Sequence, residues 1–189
     1  MSADPNRVLC CGENPFIRIS ETDGGPETTI ASYWRNVLSP AGPGHVLYLK
    51  SELTDNQWRI WSDNIAMTRW LQQTIQGMLN PELADTSIPV EEAEFTKDGD
   101  PHRFYTEYVE SEYDDLSLTW YDLGDPLMIH TQPGAERQYG VNTVLIPCMG
   151  TRLVMNGEQA KGQAWARERE GRPFSTSALA FCESWTEKR

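Results

Sequence analysis

Long apolar runs are missing from this sequence. No window approaches the roughly 20 apolar residues that a helix needs to cross a bilayer. The apolar stretch at 8–11 is too short for a secretory leader, which would also want basic residues where Asp4 and Pro5 stand. Cysteine is sparse as well. Cys10, Cys11, Cys148 and Cys182 form no CxxC pair and no dense small-domain spacing, and vicinal cysteines rarely bridge each other, so reduced thiols are expected. These absences point to a soluble cytoplasmic protein with no membrane partner.

Basic charge is scarce: 16 Lys and Arg stand against 28 Asp and Glu, for a net charge of −12 and a pI near 4.6. Binding to a phosphate backbone depends on Lys and Arg displacing counterions, and there is no basic stripe, so nucleic acid is not an expected partner. Histidine is limited to His45, His102 and His130, without HxH or HExxH spacing, so no metal site is expected. There is no GxSxG elbow, and GPGH at 42–45 matches neither phosphate-binding fingerprint. Cys148 follows an apolar run that implies a buried, inert thiol. No cofactor is expected.

Acid and aromatics are what the chain has in excess. Residues 91–125 hold 12 Asp and Glu against Lys97 and Arg103, and so carry ten of the twelve net negative charges. The same stretch is interleaved with Phe, Tyr and Trp. Disordered acidic tails lack that aromatic area, so the segment reads as sheet. Over the whole chain, seven Trp, seven Tyr and five Phe suit either a pocket for a medium-sized organic ligand or a filled, Trp-rich core.

One segment, 63–79, has helical spacing: Asp63 or Asn64 can cap it, Met67, Trp70, Leu71, Thr74, Ile75 and Met78 recur three and four apart, and Asn80-Pro81 stops it. Short apolar or alternating runs at 16–20, 46–50 and 57–61 precede it, and 28–38 is ambiguous between strand and helix. Strands follow at 92–97, 103–110, 115–121, 127–131, 141–148, 152–155, 159–165 and 176–182, with Asn156-Gly157 the strongest hairpin signal. The fold class is mainly β (α+β), a single domain over 1–189. Many strands joined by short turns make an antiparallel meander that must close to hide its edges. The architecture resembles the barrels of the lipocalin and calycin type, with one α-helix at about 63–79 packed on the wall; the likeness is architectural and implies no function.

His130 lies in the apolar strand LMIHT and shares a face with Met128. If that face points inward, His130 becomes a polar group in an apolar pocket, suited to a general base. Among many carboxylate pairs, Glu107 stands out mid-strand between Tyr105 and Val109. SEYDD at 111–115 lacks the spacing of a calcium loop. The leading expectation is a small-molecule enzyme (a lyase, hydratase, isomerase or hydrolase) with an aromatic-lined barrel. In it His130, Glu107 and Tyr121 move protons, and Arg152, Trp120 and Tyr105 bind the small organic substrate. The alternatives are a non-catalytic small-ligand binder, or an acidic protein docking a basic partner through 91–125. Trp165 and Phe181 fit a homodimer surface or the core equally well.

Overall fold

The computed structural model describes residues 6–169 and 171–189. It is mainly β, with 59% strand against 11% helix, in a large mixed sheet that curls into a ring. The first five strands are β1 (Asn6–Glu13), β2 (Phe16–Ile19), β3 (Thr29–Leu38), β4 (Gly44–Ser51) and β5 (Arg59–Ser62). Helices α1 (Ile65–Gln73) and α2 (Ile75–Leu79) follow, then β6 (Val90–Asp100), β7 (Phe104–Ser111), β8 (Asp115–Leu123), β9 (Leu127–Thr131) and β10 (Tyr139–Met155). The chain ends with β11 (Glu158–Gln159), β12 (Ala166–Arg169), β13 (Arg172–Ser175) and β14 (Ser177–Lys188). Pairing runs β14-β2-β3-β4-β5-β6-β7-β8-β10, and β10 pairs with β14 in turn.

The connectivity differs from a simple meander in two places. The helical segment is a crossover, so β5 and β6 run parallel, with Trp61 opposite Glu91 and Ser62 opposite Glu92. At the other seam the N-terminal strand is bent at Asn14-Pro15. Its first part, β1, bridges β14 and β3, and its second part, β2, pairs with β3.

The centre of the ring is filled. Tyr33, Trp61 and Trp120, with Leu47, Leu49, Val109, Leu118 and Leu153, are fully buried in one apolar cluster. A second cluster lies outside the ring, where Trp34, Val46, Tyr48 and Ile60 meet Met67, Leu71 and Ile75 of the helices. This double burial explains the ambiguity of 28–38. In β3, Ala31 and Tyr33 face the interior while Trp34 faces the helices, so both faces are covered and the alternation of hydropathy is lost.

The single helix expected over 63–79 is two. Thr74 sits at φ −120°, ψ −94°, and its hydroxyl donates to the Trp70 carbonyl at 2.7 Å, a local bond that competes with the helical ladder. The buried stripe is also shifted from the expected one: Met78 is exposed, whereas Gln72 and Gln76 are buried. Strands expected at 141–148 and 152–155 are one strand, β10, continuous through Gly150. A Cβ there would fall 2.2 Å from the Tyr121 ring, which lies across its register partner Gly150. Of the strand expected at 159–165, only Gln159 belongs to a strand, β11. No helix among the described residues is long and apolar enough to cross a membrane.

Candidate functional site

Four strands change from apolar to polar at the same end of the ring. Along the inward face, β3 reads Ala31, Tyr33, Arg35 and β4 reads Leu49, Leu47, His45, with Arg35 paired to His45. On the facing strands, β6 reads Ala93, Phe95, Lys97 and β7 reads Val109, Glu107, Tyr105, with Lys97 paired to Glu107. The pleat therefore delivers Arg35, His45, Lys97 and Glu107 to one mouth, above the packed core.

Glu107 is the buried anchor of this end, with a fully covered side chain. Arg35 Nη2 donates to its two oxygens at 3.1 and 2.8 Å and to the Tyr33 hydroxyl at 3.3 Å. Burial pushes the Glu107 carboxyl above its ordinary value, against the pull of the Arg35 guanidinium and of the Tyr33 and Tyr105 hydroxyls. Burial and the Glu107 charge push the Tyr33 and Tyr105 hydroxyls up as well, so both remain protonated donors. Glu13 of β1 completes the cluster. It lies 3.5 Å from Arg35 Nε and 3.7 Å from Lys97 Nζ, and accepts from the Tyr105 hydroxyl at 3.4 Å.

Beside this anchor, Asp63 clamps His45. One carboxylate oxygen accepts from the His45 backbone N–H at 2.6 Å and the other meets Nδ1 at 2.5 Å. The acceptor places the proton on Nδ1 and so fixes the tautomer. The ring is also stacked on Phe95, with centroids 5.2 Å apart and planes 16° from parallel. Nε2 has no hydrogen-bond partner among the described residues, and His45 lines an open cleft of about 830 Å³ with Arg35, Asn36, Asn64 and Glu92. The backbone makes this approach possible at Gly44, where a Cβ would lie 2.7 Å from Asn64 Cβ and 2.9 Å from Asp63 Oδ1. Asn64 then caps α1 by accepting from Met67 N at 3.0 Å.

Of the residues singled out by sequence, the structure brings Glu107 and Tyr105 together and separates the others from them. His130 is exposed on β9, its ring bonded to Asn142 and Gln132; Met128 beside it is exposed, while Leu127 and Ile129 on the opposite face are buried against Leu145 and Ala180, so the face that His130 shares with Met128 does not enter the ring. Tyr121 is exposed against Gly150, and Arg152 is exposed on β10. Trp120 is buried in the core and donates to the Phe16 carbonyl at 3.0 Å. Phe181 packs edge-on against Tyr105, and Trp165 donates to the Ser20 carbonyl at 3.1 Å. Sequence reading passed over Arg35 and His45, because their partners lie 72 and 18 residues away and only strand register joins them. Among the described residues no group of three or more His, Cys, Asp or Glu is placed to hold a metal ion.

The chain matches no family model, no curated protein and no solved structure.

Proposed function

We propose that this protein acts on a small organic substrate by general acid/base chemistry in the cleft beside His45. His45 Nε2 transfers the proton, Asp63 orients the ring, and Arg35, held by Glu107, is the fixed cation at the base of the cleft. The observation that carries this reading is the two-point clamp of Asp63 on His45, which leaves Nε2 without a hydrogen-bond partner among the described residues on a side chain that lines the open cleft. A positioned base of this kind contributes roughly 10² to 10⁴ in rate to eliminations, hydrations, isomerisations and hydrolyses. In this reading the ring is of lipocalin and calycin type in its architecture alone, and the ligand sits at one mouth above a filled centre. The protein acts in the cytoplasm, where its four free thiols stay reduced.

The test is incubation of the purified protein with a mixed metabolite extract, followed by mass spectrometry. We expect at least one compound to be converted by the wild type and its conversion to fall about 10² to 10⁴-fold in His45→Ala. A compound retained but unchanged would support the binding-protein alternative, and an extract neither changed nor depleted would remove both. A second reading, docking of a basic partner, draws on one feature: Glu92, Glu94, Glu110 and Glu112 line a groove of about 900 Å³ that shares Asp63 with the His45 cleft. It requires binding of a lysine-rich peptide that weakens steeply with added salt.

A further inference from the structure

A second cleft, of about 340 Å³, lies between α2 and the outer face of the sheet, away from the mouth that holds His45. Its floor is polar and buried. Glu183 Oε1 accepts from Trp185 Nε1 at 2.7 Å and from Asn14 Nδ2 at 3.1 Å. Ser32 Oγ lies 3.3 Å from both Asn14 Oδ1 and Gln76 Oε1, and Trp34 Nε1 donates to Gln76 Oε1 at 2.9 Å. An indole N–H can only donate, so the Trp34 bond fixes which end of the Gln76 amide is oxygen. The other end, Nε2, is buried on a residue with no exposed surface and has no partner among the described residues. A buried donor left unpaired is costly, and a ligand that supplies an acceptor removes the cost.

The backbone is shaped to put Glu183 there. Up to Ala180, the even-numbered residues of β14 face outward and Leu179 faces the core. Cys182, at φ +51°, forms a bulge opposite Thr143, where the β10–β14 register slips. After it the odd-numbered residues face outward, so Glu183 and Trp185 turn to the helix side rather than into the ring. A left-handed backbone on a non-glycine residue is strained, and bulges of this kind re-aim side chains at functional sites.

We propose that this cleft is a second binding site, for a small uncharged organic molecule carrying a carbonyl and an N–H or O–H group on an apolar frame. The carbonyl accepts from Gln76 Nε2. The N–H or O–H group engages the Glu183 carboxyl, and Ile129 and Leu145 cover the apolar body. Arg18 and Arg169 on the lining disfavour a cation, and the carboxyl at the buried floor offers an anion no positive partner there. The volume falls at the lower end of the range for small-molecule sites, so the ligand is compact.

The probe is ε-caprolactam, followed by the side-chain amide signal of Gln76 and the indole N–H signals of Trp34 and Trp185 in heteronuclear NMR. We expect saturable shifts at all three, with a Kd on the order of 1 mM for so small a ligand. Gln76→Leu and Glu183→Gln should each weaken binding about tenfold, as loss of one buried hydrogen bond does. Leu79→Trp leaves the polar floor untouched and fills the cleft from a half-exposed position, so it should abolish the shifts while the fold is kept. Absence of binding in the millimolar range, binding indifferent to Leu79→Trp, or tighter binding of cyclohexylamine than of the lactam would each overturn the proposal.

Discussion

A single nitrogen of Arg35, Nη2, reaches both carboxylate oxygens of Glu107 across 72 residues of sequence. The carboxylate has no solvent exposure of its own, so its charge depends on that guanidinium and the two tyrosine hydroxyls. Breaking a buried pair from one side leaves a charge stranded, which costs about 3–5 kcal/mol, whereas replacing both partners by apolar groups is often near neutral. Arg35→Met should therefore destabilise the protein by that amount in urea denaturation, and Arg35→Met with Glu107→Leu should recover most of it. A single variant as stable as the wild type would mean that water, rather than Arg35, satisfies Glu107.

Glu94 and Glu110 are direct partners across the β6–β7 ladder, and both are exposed. Like charges placed directly opposite destabilise a sheet, and opposite charges stabilise it, by about 0.2–1 kcal/mol per pair. Glu110→Lys should raise the urea midpoint by a corresponding amount, with the gain shrinking in high salt. If the acidic groove docks a basic partner, the same substitution should weaken that binding, so stability and docking would move in opposite directions.

The positions of most strands were legible in the sequence because turn residues punctuate them, and Glu107 was legible because it interrupts a clean alternation. The helix was legible from its spacing, but the break at Thr74 was not, since it depends on a hydroxyl choosing the Trp70 carbonyl. His130 drew attention from its apolar neighbours, yet a strand with alternating burial offers two faces, and sequence alone does not say which one meets the core. The parallel pairing of β5 with β6 and the register that brings Arg35, His45 and Asp63 together are long-range facts. The first follows from the helical crossover and the second from the pairing of β3, β4 and β5, and local hydropathy carries no record of either.

Gly44 is where that long-range register becomes vulnerable. A methyl group there would press on Asn64 Cβ at 2.7 Å and on Asp63 Oδ1 at 2.9 Å, moving both the α1 cap and the His45 clamp. Gly44→Ala should cost about 1–3 kcal/mol through overpacking. It should also lower conversion of any substrate found for the His45 cleft by more than its loss of stability explains. The paired measurement is urea denaturation alongside initial rate at a temperature where both forms are folded. An unchanged rate would detach the Asp63–His45 geometry from the chemistry.

Glu183 gives a pH signature with a definite sign. Burial pushes its carboxyl above the usual 4.5, the donors Trp185, Asn14 and Thr143 pull it back, and no cation pairs with it among the described residues. The folded chain thus holds this proton to higher pH than the unfolded chain does. Its contribution to stability is complete below the ordinary carboxyl value and is lost as pH rises through the raised one. Glu183→Gln keeps an acceptor for Trp185 and Asn14 but carries no titrating proton. The variant should therefore gain on the wild type as pH rises, by about 1.4 kcal/mol for each pH unit that separates the folded from the unfolded value. Denaturation of both proteins at about pH 4, 6 and 8 reads this directly. A difference that stays constant across the series would mean that Glu183 titrates like a solvated carboxylate, and the floor of the second cleft would then be wet rather than dry.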